Sequence, residues 1–401
     1  MTNILFEDAK PIIKKIKEQG FEAYFVGGSV RDYLMNKDIH DIDITTSATP
    51  DEIESIFPKT VPIGKEHGTI NVLFNNSSYE ITTFRTEEEY VNHRKPNGVV
   101  FVRDLYEDVK RRDFTINAIA MDEEYTIIDY FNGKADIEAE NIKTVGHAEE
   151  RFEEDALRII RGLRFQSQLA FTLDNKTFEG MQSKIQNIEY LSIERIIVEF
   201  KKLFSGKNVA VSYNNLIRLN AFAYIPFFSS YNMTKININE PLPFNLFIAL
   251  IQHKLTNDNA QLSHLKISNN EKKEIQTYNN LLNSLQNINT KQQLKLLIYD
   301  YGLHYNLTIL SYSETLKLNE ITLPSPIIYN EQLIREVAHE MPINNRSDID
   351  ISGKDLIDSL KQRSGPWIKE ALRNIEIAII DGQLTNFKPK ILEWVKEHVK
   401  I

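Results

Sequence analysis

Phe21-Glu22-Ala23-Tyr24-Phe25-Val26-Gly27-Gly28-Ser29-Val30-Arg31-Asp32, followed shortly by Asp41-Ile42-Asp43-Ile44, is the stretch on which the fold turns. The apolar run from Phe21 to Val26 stops at two glycines, which reads as a strand. A helix is expected from near Ser29, carrying Val30 to Met35. Ile42 and Ile44 then alternate with Asp41 and Asp43, the period of a second strand. Both carboxylates would project from one face while the isoleucines enter the core. Upstream, Ala9, Ile12, Ile13 and Ile16 recur at helical spacing over 8–19, with Gly20 as the stop. Downstream, Thr49-Pro50-Asp51-Glu52 predicts an N-cap followed by proline at the first helical position. Ile70 to Phe74 and Tyr79 to Phe84 predict a hairpin around Asn75-Asn76-Ser77-Ser78.

These elements define an α/β N-terminal head, a small mixed sheet with helices, over residues 1–147. From about Glu149 helical periodicity dominates, and the remainder reads as an elongated all-α neck (148–205), body (206–310) and tail (311–401). The stretch from about 254 to 295 is rich in Asn, Gln and Lys and reads as polar helices and loops. Asp350 to Ile380 returns to clear helical signals, broken at Gly365-Pro366. Trp367 fits core or surface equally well.

Bulk properties narrow the class. At 401 residues the chain is long for one core. Its hydrophobic fraction of 42% and charged fraction of 26% are those of a soluble globular protein. No run of about 18 apolar residues suggests a membrane span, and the N-terminus does not read as a signal peptide. The chain has no cysteine, which excludes disulfides and Cys-based zinc sites and fits a reducing, cytoplasmic setting. A net charge of −9 argues against a general nucleic-acid binder, so any RNA contact must use a local basic surface.

Two carboxylates on one strand face, Asp41 and Asp43, can hold Mg²⁺, a hard cation that prefers oxygen ligands and readily adds substrate phosphates. Such metals can activate a 3′-hydroxyl and stabilise a departing pyrophosphate. An Asp-x-Asp pair alone is more often an ordinary solvated strand edge. The preceding Gly27-Gly28-Ser29 sits between strand and helix, where backbone N–H groups can cradle phosphate. Arg31 can reach a triphosphate, with Asp32 holding it in place; a tight turn with a surface ion pair is the plainer alternative. No glycine-lysine pair completes a Walker A pattern, which disfavours a P-loop ATPase.

Further motifs follow in order: Arg111-Arg112-Asp113-Phe114-Thr115-Ile116-Asn117-Ala118, Asp129-Tyr130-Phe131-Asn132-Gly133, Glu154-Asp155-Ala156-Leu157-Arg158 and Ser192-Ile193-Glu194-Arg195. Together with the glycine turn and Asp-x-Asp pair they resemble the five motifs of the class II, bacterial and eukaryotic type of CCA-adding enzyme. That group is the tRNA nucleotidyltransferase and poly(A) polymerase branch of the polymerase-beta-like superfamily. The resemblance is strong between Gly27 and Arg195 and looser in the tail, through Ile351-Ser352-Gly353-Lys354-Asp355-Leu356 and Gly365-Pro366.

The resemblance implies template-independent addition and repair of the tRNA 3′-terminal CCA from CTP and ATP, with Mg²⁺ on Asp41 and Asp43. It implies nucleotide contacts at Gly28, Arg31, Arg112, Asp155, Arg158, Arg161 and Arg164, and tRNA binding by the later helices. Lys354, Lys361, Arg363 and Lys369 are candidates to meet phosphates there. It also associates the mixed-charge loop between Glu87 and Phe101 with the switch from C to A addition. Oligomeric state is left open, a homodimer included.

The fourth motif carries its own chemical argument. Cytosine and adenine each present an amino donor beside a ring-nitrogen acceptor. Uracil and guanine present a carbonyl acceptor beside a ring N–H donor. A carboxylate only accepts and a guanidinium only donates. Asp155 and Arg158, neighbours if both lie on one helix, can therefore imitate a pairing partner for C or A and leave unsatisfied groups against U or G. Taken alone, such a pair is usually a surface salt bridge. Arg161 and Arg164 continue the spacing, and on one helix Arg164 would lie nearly opposite Asp155; both are expected to brace the pocket or bind phosphates. Arg111 fits solvent as easily as the site. Asp113 and Asn117 are expected to tie a helix start to the catalytic strand. Glu80 is a candidate third carboxylate, or a plain strand residue. Ser192 reads as a cap, and the resemblance gives its motif the role of buttressing the pocket.

Rival functions remain: a poly(A) polymerase or partial CC- or A-adding enzyme with the same head, a metal phosphohydrolase suggested by His40-Asp41, and a non-catalytic RNA-binding protein.

Overall fold

The apolar stripe of the first helix decides where the sheet lies. The computed structural model describes residues 4–87, 90–91, 95–96, 98–256 and 261–399. In it α1 (Ile4–Glu18) buries Phe6, Ala9, Ile12, Ile13 and Ile16. The helix lies on β1 (Ala23–Val26), with the Phe6 and Phe25 ring centroids 4.7 Å apart. The chain then runs through α2 (Gly28–Leu34), β2 (Asp43–Thr46) and α3 (Pro50–Ile56). α3 is opened by the expected cap: Thr49 and Glu52 form a reciprocal capping box with Pro50 in the first turn.

β3 (Thr60–Val61), β4 (Thr69–Phe74) and β5 (Ser77–Thr83) follow. The β4–β5 hairpin closes on Asn75-Asn76 alone, tighter than the four-residue turn predicted. Both asparagines have positive φ, 47° and 65°, the conformation that two-residue hairpins demand and asparagine tolerates. β6 (Arg85–Glu87) pairs with β9 (Val99–Phe101), and β7 (Tyr90–Val91) with β8 (Lys95–Pro96). The mixed-charge loop expected between Glu87 and Phe101 otherwise lies largely outside the described residues. α4 (Leu105–Lys110), β10 (Ala120–Met121), β11 (Ile127–Ile128) and α5 (Gly133–Glu138) complete the head.

The main sheet runs β11-β10-β1-β2-β5-β4-β3, antiparallel except for the central parallel pair β2–β5. Its register assigns side chains to faces. Val26 pairs with Asp43, Tyr24 with Thr45, and Asp43 with Glu80, so these residues share one face. Phe25, Ile44 and Ile81 occupy the other, beneath α1. On the Asp43 face, Val26 joins Phe84, Leu105, Val109, Ala118, Ala120 and Val145 in a buried cluster that seats α4.

After the head come α6 (Ala148–Glu154), α7 (Leu157–Leu169), α8 (Asn175–Lys184), α9 (Ile193–Phe204) and α10 (Val209–Arg218). α9 buries Ile193, Ile196, Ile197, Phe200, Leu203 and Phe204, a continuous stripe at helical spacing. Phe200 meets Phe222 and Phe228 edge-on, and the buried Tyr213 hydroxyl donates to the Met233 carbonyl at 2.9 Å.

The chain divides into two compact units: Met1–Met233 with Ile238–Phe244 and Asn259–Lys266, and Thr234–Asn237 with Asn245–Asp258 and Ile267–Ile401. In the second, the Asn- and Lys-rich stretch forms one 17-residue helix, Asn269–Leu285. A Ser268–Glu271 capping box starts it, and Ile275, Tyr278, Leu281, Leu282 and Leu285 are buried. Near the C-terminus, helices Gly353–Leu360, Trp367–Ile380 and Lys388–His398 share a core of Leu356, Ala371, Ile375, Ile379, Ile391 and Val395. Trp367 packs partly buried against that core while its Nε1 donates to the Arg363 carbonyl at 2.9 Å. Among the described residues, no helix is long and apolar enough to cross a membrane.

Candidate active site

Gly27 ends β1 with φ 75° and ψ −136°, backbone that a residue with a Cβ rarely adopts. A Cβ there would stand 3.3 Å from Asp43 Oδ2 and 3.4 Å from Arg112 Nη1. The glycine turn is thus what lets an acidic and a basic side chain press against the same backbone. Four residues on, Arg31 is buried: its Nε and Nη2 grip the two oxygens of Asp32 at 2.9 and 3.0 Å, and Nη1 donates to Asn117 Oδ1 at 2.7 Å. Asp32 holds Arg31, as the sequence suggested.

Asp43 is the first residue of β2, and its solvent-accessible side chain lines a cavity whose walls partly desolvate it. Burial raises its proton affinity, Arg112 works against that, and the negative charges of Glu80 and Asp41 add to it. Asp41 departs from the expected strand geometry. It lies in the coil before β2, exposed, and does not line the cavity, because pairing with β1 begins only at Val26↔Asp43. Glu80 is Asp43's neighbour across the parallel pair β2–β5 and is exposed. Among the described residues, no group of three or more His, Asp or Glu is gathered closely enough to hold a metal ion by itself.

The second motif is anchored from behind. Asp113 is buried, accepting from Arg161 Nε at 2.7 Å and from Asn117 Nδ2 at 3.3 Å. Burial opposes its ionisation, but the charge and hydrogen bond of Arg161, the charge of Arg158 and the Asn117 bond outweigh that and hold the carboxyl at about 2. Asp113 and Asn117 therefore link Arg161 of α7 to Arg31 of α2. The third motif is structural: Asp129 accepts from the backbone N of Gly133 and Lys134 at 2.9 and 2.8 Å. A Cβ at Gly133 would sit 2.1 Å from the Thr115 carbonyl, so this glycine allows α5 to press against the second motif.

Asp155 does not share a helix with Arg158. It closes α6 in extended conformation (φ −132°, ψ 104°), and α7 begins two residues later. Its Oδ1 accepts from Leu157 N at 3.0 Å, and Oδ2 pairs with Arg195 Nη2 at 3.1 Å. Arg158 is buried and bonds Glu154 Oε2 at 2.5 Å and the Arg111 carbonyl at 2.9 Å. Because the chain breaks at Asp155, that residue is freed from the helical rotation that would have set Arg164 opposite it. Asp155, Arg158, Arg161 and Arg164 line one cavity. Arg164 lies 4.0 Å over the Phe165 ring and 2.8 Å from Glu199 Oε2, a Coulombic contact whose Nε–H is not aimed at the oxygen. Burial pulls the proton affinity of Arg164 down to about 10, against the attraction of Glu199.

The cavity measures about 520 Å³, within the usual range for small-molecule sites. Among the described residues its lining side chains include eight arginines (Arg31, Arg85, Arg111, Arg112, Arg158, Arg161, Arg164 and Arg195) against three aspartates (Asp43, Asp113 and Asp155), all on an otherwise acidic chain. Gly28 lines it too. Of the residues singled out in the sequence for nucleotide or metal, Asp41 and the candidate third carboxylate Glu80 stay outside. Arg85, Arg195 and the buried partners Asp108 and Glu199 were missed. Only the Ser-x-x-Arg motif pointed toward Arg195; Asp108 and Glu199 read as ordinary charged positions of amphipathic helices.

A glycine turn feeding an acidic strand, opposite an arginine-lined neck, defines a nucleotidyltransferase head. The model of the poly A polymerase head domain matches residues 23–143, and that of tRNA nucleotidyltransferase domain 2 matches 239–395. The CCA-adding enzyme of Staphylococcus saprophyticus is 56% identical over 399 residues, covering 100% of both chains. That of Staphylococcus haemolyticus is 55% identical over 99% of both. The crystal structure of the Bacillus stearothermophilus CCA-adding enzyme in complex with CTP superposes with a TM-score of 0.82 at 34% identity, covering 99% of this chain and 98% of that one. The chain belongs to the CCA-adding enzyme family.

Proposed function

We propose that this chain adds and repairs the 3′-terminal CCA of tRNA from CTP and ATP, without a nucleic-acid template and with release of pyrophosphate, in the cytoplasm. The observation that supports this most is the meeting of Asp43 with Asp155 and Arg158 on one arginine-lined cavity. Gly28 and the arginines Arg31, Arg112, Arg161 and Arg164 bind the nucleotide, chiefly its phosphates. The head performs transfer, the neck reads the base, and the body and tail hold the tRNA.

Asp43 with Asp41 would hold Mg²⁺. The donor set fits: both are carboxylates, and the mutual repulsion of Asp43, Asp41 and Glu80 is relieved by a divalent charge. Bound there, the metal supplies positive charge to the attacking 3′-hydroxyl and the departing pyrophosphate. Asp155 accepts from the amino group of C or A while Arg195 continues to hold its other oxygen; a carboxylate has room for both. Arg158 donates to the ring nitrogen. Uracil and guanine would set acceptor against acceptor and donor against donor.

The test offers tRNA lacking its CCA end with Mg²⁺ and each nucleotide separately, and sizes the products. CTP adds two residues, CTP with ATP adds three, and UTP or GTP almost none. A long A tail would instead make the chain a poly(A) polymerase. Asp43→Ala and Asp41→Ala abolish incorporation with the fold intact.

A further inference from the structure

Asp108 is fully buried in α4 and takes no part in the roles given above. Donors from four residues converge on it. Its Oδ1 accepts from Arg111 Nε and Nη2 at 3.1 and 2.7 Å and from the backbone N of Arg85 at 3.4 Å. Its Oδ2 accepts from Arg112 Nη2 at 3.2 Å and lies 3.2 Å from the Thr45 hydroxyl, whose single proton is shared with the Thr82 carbonyl. Thr45 stands two residues after Asp43 on β2 and on the same face. Arg112 extends from this anchor to the glycine turn and Asp43, and its Nε is buried without a hydrogen-bond partner.

We propose that Asp108 is the positioning residue of this site, a buried carboxylate that aims Arg112 at the incoming triphosphate and fixes it to the strand bearing Asp43. Two adjacent guanidinium groups repel each other, and a long arginine side chain has many rotamers. One carboxylate bonded to both removes the repulsion and selects a rotamer for each. A guanidinium left between no partner and Asp43 would close onto Asp43 and away from the phosphates. Asp108 thus acts through Arg112 and touches no substrate. The inference rests on Arg112 being a triphosphate contact.

The test is a double-mutant cycle on the full-length chain with Asp108→Asn, Arg112→Ala and the pair. It is read by KM and kcat for CTP and ATP and by equilibrium binding of CTP. Asparagine keeps the shape, removes the charge and turns one acceptor into a donor facing other donors. Asp108→Asn should raise KM for both nucleotides on the order of tenfold to a hundredfold and weaken CTP binding equally, leaving the preference for C and A over U and G unchanged. The double variant should be no worse than Arg112→Ala alone. Independent, multiplying losses would overturn the proposal, as would an Asp108→Asn chain with unchanged KM. Should that chain be too unstable to assay, Asp108→Glu, which keeps the charge but displaces it, carries the same cycle. If Arg112→Ala alone leaves KM and binding unchanged, it is the nucleotide contact that fails.

Discussion

Replacing Gly27 with alanine perturbs the site through two effects whose sizes can be worked separately. The backbone at φ 75° and ψ −136° is one that non-glycine residues hold only at a cost of about 1–3 kcal/mol. For a unit of this size that lowers the melting temperature by roughly 2–12 °C. The added methyl also stands 3.3 Å from Asp43 Oδ2 and 3.4 Å from Arg112 Nη1. The contact with Asp43 is tighter than ordinary van der Waals distance and that with Arg112 is at its edge, so Asp43 must retreat by a few tenths of an ångström and Arg112 is left no room to spare. In the proposed function both groups converge on the reacting phosphates, where misplacement on the order of 1 Å costs about a hundredfold in rate. Gly27→Ala should therefore lower kcat/KM for CTP addition by about ten- to a hundredfold. The assay is single-nucleotide extension of tRNA lacking its CCA end, run beside a thermal melt well below the variant's transition. A variant that melts earlier yet extends tRNA at the wild-type rate would refute the claim that this glycine exists to admit Asp43 and Arg112.

Asp155→Ala should erode base choice, raising UTP and GTP incorporation relative to CTP and ATP by about a hundredfold; single-nucleotide addition measures it, and wild-type selectivity would defeat the pairing-mimic reading. Asp113, held at about 2 by its arginines, contributes stability that is complete above its unfolded value near 4 and is lost as pH falls through about 2. Between pH 5 and pH 2 the stability gap between wild type and Asp113→Asn should shrink by about 2 kcal/mol, read from denaturant melts; a gap independent of pH would contradict the ion pairing. Gly133→Ala would drive a methyl to 2.1 Å from the Thr115 carbonyl and should destabilise by about 3 kcal/mol; a melt within a degree of wild type would show that α5 does not press on the second motif.

The sequence by itself determined the local elements and the chemistry available to them. Helical spacing of Ile12, Ile13 and Ile16, the Thr49-Pro50-Glu52 cap and the apolar run into Gly27 all act within a few residues, so their readings needed no partner. The Asp-x-Asp pair, the arginines and the five motifs likewise named most of the cavity in advance. Tertiary structure decided what spacing cannot carry. Whether Asp41 joins the strand depends on where β1 stops pairing, and whether Asp155 belongs to α7 depends on a break that Arg195 of α9 helps to hold. Asp108 and Glu199 occupy polar-looking helical positions; the arginines that pair with Asp108 are its near neighbours Arg111 and Arg112, but its packing against Thr45 and the Arg85 backbone N, and the pairing of Glu199 with Arg164 of α7, come from other parts of the chain. Hydrophobic periodicity reports which face of an element is buried, but whether a charged position is covered depends on elements distant in sequence, and only the folded chain brings those elements over it.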